Sequence, residues 1–249
     1  MFSDKMKTRI AGMALIGAVM TIPAAASAGV VVKSTGPSAG TYPVGRQVED
    51  SASITLRAGD KITVLTDGGT RVMQGPGTFR VGEGATRTRA RFSNLTRRNA
   101  NRRVRTGAVR GGPGDGVARS PNLWFVNVAA GGNMCLYDLN AVRLWRPDSE
   151  GAQTYQIQDQ ANSSSIEVPF VETETVRALD PTGLPLTSGR SYTITAPAAE
   201  EGEPASVNVT FVVLSEQYSA PDQLAQALVE NGCTTQLGLL ADTLEASAQ

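Results

Sequence analysis

Histidine is absent from all 249 residues, cysteine occurs twice, and aromatics make up only 5% of the chain. Without histidine the commonest metal ligand and the commonest general base are missing, which excludes a Ser-His-Asp triad. Two cysteines form no zinc cluster. Beyond residue 28 the only lysines are Lys33 and Lys61, and neither stands in a Ser-x-x-Lys arrangement. The glycine-rich stretch Gly111–Gly116 carries no Gly-Lys-Ser/Thr, so it is no phosphate loop. Glu172 and Glu174, either side of Thr173, read as the exposed side of a strand rather than a carboxylate pair for glycoside hydrolysis. Glu200-Glu201-Gly202-Glu203 reads as a loop tip without calcium-loop spacing. The expectation is a protein that is not an enzyme, with no cofactor and no metal.

What is present begins with an export signal. Residues 1–28 carry Lys5, Lys7 and Arg9, then an apolar run from Ile10 to Ile22, then Pro23 and the small-residue site Ala26-Ser27-Ala28. The run is shorter than the about 20 residues of a membrane helix, and no later stretch approaches that length. A mature chain from near Gly29, periplasmic or secreted and without a membrane span, is expected. In an oxidising compartment Cys135 and Cys233 are expected to pair as a structural disulfide.

The net charge is zero only because two regions cancel. Arg87 to Arg119 holds ten arginines against one acid, whereas residues 148–249 hold fifteen acids against two arginines. Composition divides the rest of the chain accordingly. Residues 29–84 read as a small antiparallel β unit, with strands around Val30–Val32, Ser53–Leu56, Lys61–Leu65, Thr70–Met73 and Thr78–Val81. Asp67-Gly68-Gly69 marks a hairpin. Alternation puts Ile62 and Val64 on one face and Lys61 and Thr63 on the other.

Residues 85–121 are poor in apolar side chains and rich in arginine and glycine, which predicts a flexible linker. Within it only Ala90–Leu95 forms an apolar island able to dock. Arg87, Arg89, Arg91, Arg97, Arg98, Arg102, Arg103, Arg105 and Arg110 are its candidate anion-binding residues. Export makes nucleic acid an unsuitable partner and leaves lipopolysaccharide phosphate or an acidic glycan.

Residues 122–216 show six or seven short strands punctuated by turns, the pattern of an immunoglobulin-like β-sandwich. Residues 217–249 change period to two helices. Ser219 is placed as the first cap with Pro221 in the first turn, and Thr234 or Thr235 as the second cap. Their apolar stripe is expected to pack on the sandwich, pinned there by Cys233.

Two resemblances attach to these segments. Tyr42-Pro43-Val44-Gly45, Ile54–Asp60, Val64–Met73 and Gly75-Pro76-Gly77 resemble a divergent FecR-like periplasmic domain, which implies an envelope sensor or binding module. Leu144-Trp145-Arg146, Gly151–Ile157 and Gly189–Ile194 resemble the Ig-like modules of bacterial envelope proteins, which implies core roles for Trp145, Tyr155 and Tyr192. The resulting expectation is a mostly β accessory protein that binds or senses another envelope protein through its β domains. The alternative is an anionic glycan or lipopolysaccharide binder acting through the arginine-rich segment.

Overall fold

A computed structural model describes residues 28–97, 120–198 and 205–246. The chain is mostly β, with short helices concentrated near its C-terminus.

The first unit contains a four-stranded antiparallel sheet ordered β2-β1-β4-β5, made of β1 (Ala28–Thr35), β2 (Gln47–Glu49), β4 (Lys61–Thr66) and β5 (Gly69–Gln74). A two-stranded ribbon, β3 (Ser53–Leu56) with β6 (Gly77–Arg80), accompanies it. Val31, Val48, Ile54, Leu56, Ile62, Val64, Met73 and Val81 form a small core. The alternation expected for Ile62 and Val64 against Thr63 holds, yet Thr63 is also buried, so β4 is covered on both faces. A register shift between Val31 and Lys33 accompanies this double burial, placing Lys33 opposite Thr63.

The second unit holds a five-stranded sheet and a three-stranded one. The first is ordered β11-β10-β13-β14-β8: β8 (Gly132–Leu136), β10 (Gln153–Asp159), β11 (Ser165–Phe170), β13 (Ser191–Thr195) and β14 (Ser206–Val213). It is antiparallel except where β8 runs parallel to β14. The second is β12 (Val176–Ala178), β9 (Arg143–Trp145) and β7 (Phe125–Asn127), with β7 parallel to β9. Alternation along β10 and β13 buries Tyr155, Ile157, Tyr192 and Ile194 and exposes Thr154, Gln156 and Gln158.

Three helices connect the units. They are α1 (Arg89–Thr96), α2 (Pro221–Glu230) and α3 (Thr234–Glu245). Here the structure departs from the expectation that the C-terminal pair covers only the second unit. Helix α2 lies on β1 and β4, and α3 touches β1, β4 and β5 on one side and β8 and α1 on the other. Val30, Val32 and Leu65 of the first unit therefore share one core with Leu224, Leu228, Leu240, Leu244, Val209 and Phe211. The reason is that β4 has a second apolar face, and only the helices cover it.

The linker expectation is corrected over its described ends. Thr86 bridges to Thr70, and α1 occupies Arg89–Thr96 with Phe92 and Leu95 buried in the main core. Two large apolar residues three apart share one helix face, and tertiary packing on α3 stabilises a turn that the average composition hides. The ends are also tied together. Leu123 N donates to Leu95 O at 3.1 Å, Asn122 Nδ2 to Arg97 O at 3.0 Å and Trp124 Nε1 to Thr96 O at 2.7 Å. Residues flanking 98–119 thus lie side by side, which a spacer between separate domains would not require.

Both helix caps differ from expectation. Ala220, not Ser219, precedes Pro221 at the start of α2, and Cys233, not Thr234 or Thr235, stands at the cap of α3. Proline's fixed φ starts the first helix without a side-chain cap. At the second, the covalent tie of Cys233 sets the chain's entry.

Candidate functional site

The disulfide joins Cys135 in β8 to Cys233 before α3, with the two Cα atoms 6.0 Å apart. It fixes the helix against a sheet edge, because β8 pairs with β14 on one side only. Gln236, three residues into α3, completes the junction. Its Oε1 accepts from Cys135 N at 2.7 Å, and its Nε2 donates to Cys135 O at 2.8 Å and to Leu123 O at 3.0 Å. The buried amide pairs with the edge strand as a neighbouring peptide group would. It satisfies backbone groups that would otherwise cost about 1–3 kcal/mol each.

Next to this junction a cleft of about 290 Å³ opens between α3 and the strands β7 and β8. Leu123, Phe125, Met134 and Leu239 give it apolar walls, Asn133 lies along it, and Gly238 forms part of the helix side. By strand parity the backbone N–H and C=O of Asn133 point to the same edge as those of Cys135. Asp242 is the only ionisable residue of the lining, and its carboxylate is ion-paired with Lys33.

A polar cluster backs the same helix. The Glu245 side chain, 7% exposed, ion-pairs with Lys33 and Lys61 and accepts from Thr63 Oγ1 at 3.2 Å. Burial alone would push its carboxyl upward, but the two lysines outweigh that and hold it below the usual glutamate range. Lys33 is shifted the other way: its partial burial opposes protonation, and Asp242 and Glu245 together raise it. Both lysines that follow the export signal thus meet one helix.

The arginine candidates are only partly assembled. Arg87, Arg89, Arg91 and Arg97 are exposed, and Arg87 and Arg89 share a hollow of about 280 Å³ with Asp67, Thr88 and Pro221. Arg98, Arg102, Arg103, Arg105 and Arg110 lie outside the described residues, as do Gly111–Gly116 and Glu200–Glu203.

Two further expectations meet the structure in different ways. Trp145, Tyr155 and Tyr192 are buried, so their rings serve the core. Tyr155 stands edge-on to Phe170 at 5.5 Å, and Tyr192 tilts against Phe211 at 5.4 Å. Glu172 and Glu174, by contrast, are in a turn and not a strand, with Thr173 at φ 68°. Glu174 is held there by pairing with Arg177 and by accepting from Val171 N.

The organiser of that turn is Arg146, which sequence reading passed over. It is fully buried, and its guanidinium donates to the carbonyls of Glu174 at 2.7 Å, Gly151 at 2.9 Å, Val171 at 3.1 Å and Glu150 at 3.5 Å. It also lies 5.4 Å from the centroid of the Phe170 ring. The one available signal was its place directly after the apolar strand residues Leu144 and Trp145.

Among the described residues no group of three or more acidic or cysteine side chains is placed to hold a metal ion, and no helix is long and apolar enough to cross a membrane. No family model, curated protein or solved structure matches the chain.

Proposed function

We propose that this chain is a non-enzymatic, exported accessory protein of the cell envelope that binds another envelope protein through its β units. The observation that carries the reading is the cleft beside β8, where apolar walls meet a strand edge that a partner's backbone can join. Other edges are poorly suited to this. Edge strand β11 contains Pro169 and an exposed Glu167, β5 is bridged at Thr70 by Thr86, and β2 is three residues long. Export, to the periplasm or beyond, rests on the signal pattern in residues 1–28 and agrees with the disulfide. A FecR-like first unit and an Ig-like second unit are the family reading that goes with this role.

A second reading, binding of anionic glycan or lipopolysaccharide, draws on Arg87 and Arg89 sharing one hollow. Asp67 in the same hollow opposes it. In-cell cross-linking followed by pull-down separates the two. A discrete protein captured by wild type and by an Arg87→Gln/Arg89→Gln variant, and lost from a folded Leu239→Glu variant, is the expected result. Capture of lipopolysaccharide alone, lost from the arginine variant, would reverse the order.

A further inference from the structure

Gly238 sits inside α3, where glycine is unfavourable for a helix. Elsewhere in the chain glycine answers a local need. A Cβ on Gly75 would fall 2.0 Å from Arg57 O, and Gly69 at φ 140° would meet Thr86 O at 2.1 Å. Gly238 has neither constraint: its φ is helical, and a Cβ there meets nothing within 4 Å among the described residues. The space it leaves belongs to the cleft beside β8.

Three features limit what that space accepts. Its volume of about 290 Å³ is at the low end for small-molecule sites, which suits one large side chain better than a whole ligand. The backbone of Asn133 continues the row of edge groups that the Gln236 amide begins to pair, so an extended strand can extend the row. Asp242 is the only ionisable lining group, and residues 148–249 carry fifteen acids against two arginines, so anions are disfavoured and cations favoured.

We propose that the cleft takes one large apolar side chain from an extended, cationic segment of a partner protein, and that Gly238 is the residue that keeps the cleft open for it. This inference rests on the protein-binding reading above and specifies its ligand.

The test uses the exported protein with its disulfide intact. The probe is a fluorescein-labelled synthetic peptide alternating Thr and Val around a central Leu, with Lys at both ends. One companion peptide carries Glu for each Lys, and another carries Ala for the Leu. Wild type and a Thr154→Trp control, altered on the exposed outer face of β10, are expected to bind the Lys peptide equally. Gly238→Trp, checked for native circular dichroism, should bind it at least about tenfold more weakly, and wild type should discriminate against each companion by a similar factor. Gly238→Ala guards against misfolding of the larger variant. It should melt about 2–4 °C higher than wild type while binding the peptide more weakly.

No binding by wild type, undiminished binding by a folded Gly238→Trp, or equal binding of the Glu peptide would each overturn the proposal. So would self-association of wild type abolished by Gly238→Trp, which would put a second copy in the cleft. A cellular protein partner captured equally by wild type and Gly238→Trp would sink the cleft proposal and leave the protein-binding reading standing. Absence of any protein partner in cells would remove that reading itself.

Discussion

Arg146 shows how one residue can set the shape of two loops. A guanidinium offers five donors in a rigid plane, and four carbonyls from residues 150–151 and 171–174 converge on it. Arg146→Leu keeps the packing volume on Phe170 but leaves those carbonyls without their donor. It is expected to lower unfolding stability by about 3 kcal/mol or more, read as a shift of the urea midpoint. Arg146→Lys should recover only part of the loss, because an ammonium cannot span the same fork. Local pattern did not reveal this role, since the strand signal ends at Trp145 and the loops that need the donor are supplied by distant segments. The cores of Tyr155 and Tyr192 were legible, because alternation within a single strand already assigns their side.

At the scale of elements, α3 is the most connected piece of the molecule. Its outer turns carry Asp242 and Glu245 to Lys33 and Lys61, while its first turns carry Gln236 to β8 and follow the disulfide. The ion cluster makes stability depend on pH with a definite sign. Glu245 is held below its usual value of 4.5, so its contribution is complete above that pH and is lost as pH falls through the lower folded value. Lys33 is raised above 10.5, so its contribution is complete below that pH and fades as pH rises past it. Urea unfolding of wild type and Glu245→Gln should therefore show a gap that is constant through neutral pH and narrows below 4.5. The helix itself was legible from its apolar stripe. Its partner sheet was not, because an amphipathic stripe states that a face is buried and not what buries it. The same limit hid α1, whose burial rests on two side chains, Phe92 and Leu95, inside a polar stretch.

For the whole molecule, the shared core predicts joint unfolding. Val30, Val32 and Leu65 of the first unit lie in the same cluster as the helices and the second unit's sheets. Leu228→Ala in α2 should cost about 2–5 kcal/mol and lower hydrogen-exchange protection in β4 and β13 together, with one cooperative transition. Reducing the disulfide opens a closure of 98 residues and should destabilise the chain by at most about 4–5 kcal/mol, again felt in both units. Separate transitions for the two units would contradict the single core.

The sequence by itself determined the mostly β character, the hairpins, the two C-terminal helices and the pairing of Cys135 with Cys233. Each follows from short-range pattern, from turn chemistry or from there being only two cysteines. The tertiary structure alone decided that the helices lie between the units, that Arg89–Thr96 folds into the core, that Gln236 pairs with the β8 edge, and that a cleft opens at Gly238. Those features depend on which surfaces meet across more than a hundred residues, and periodicity along a chain carries no record of the partner that a buried face will find.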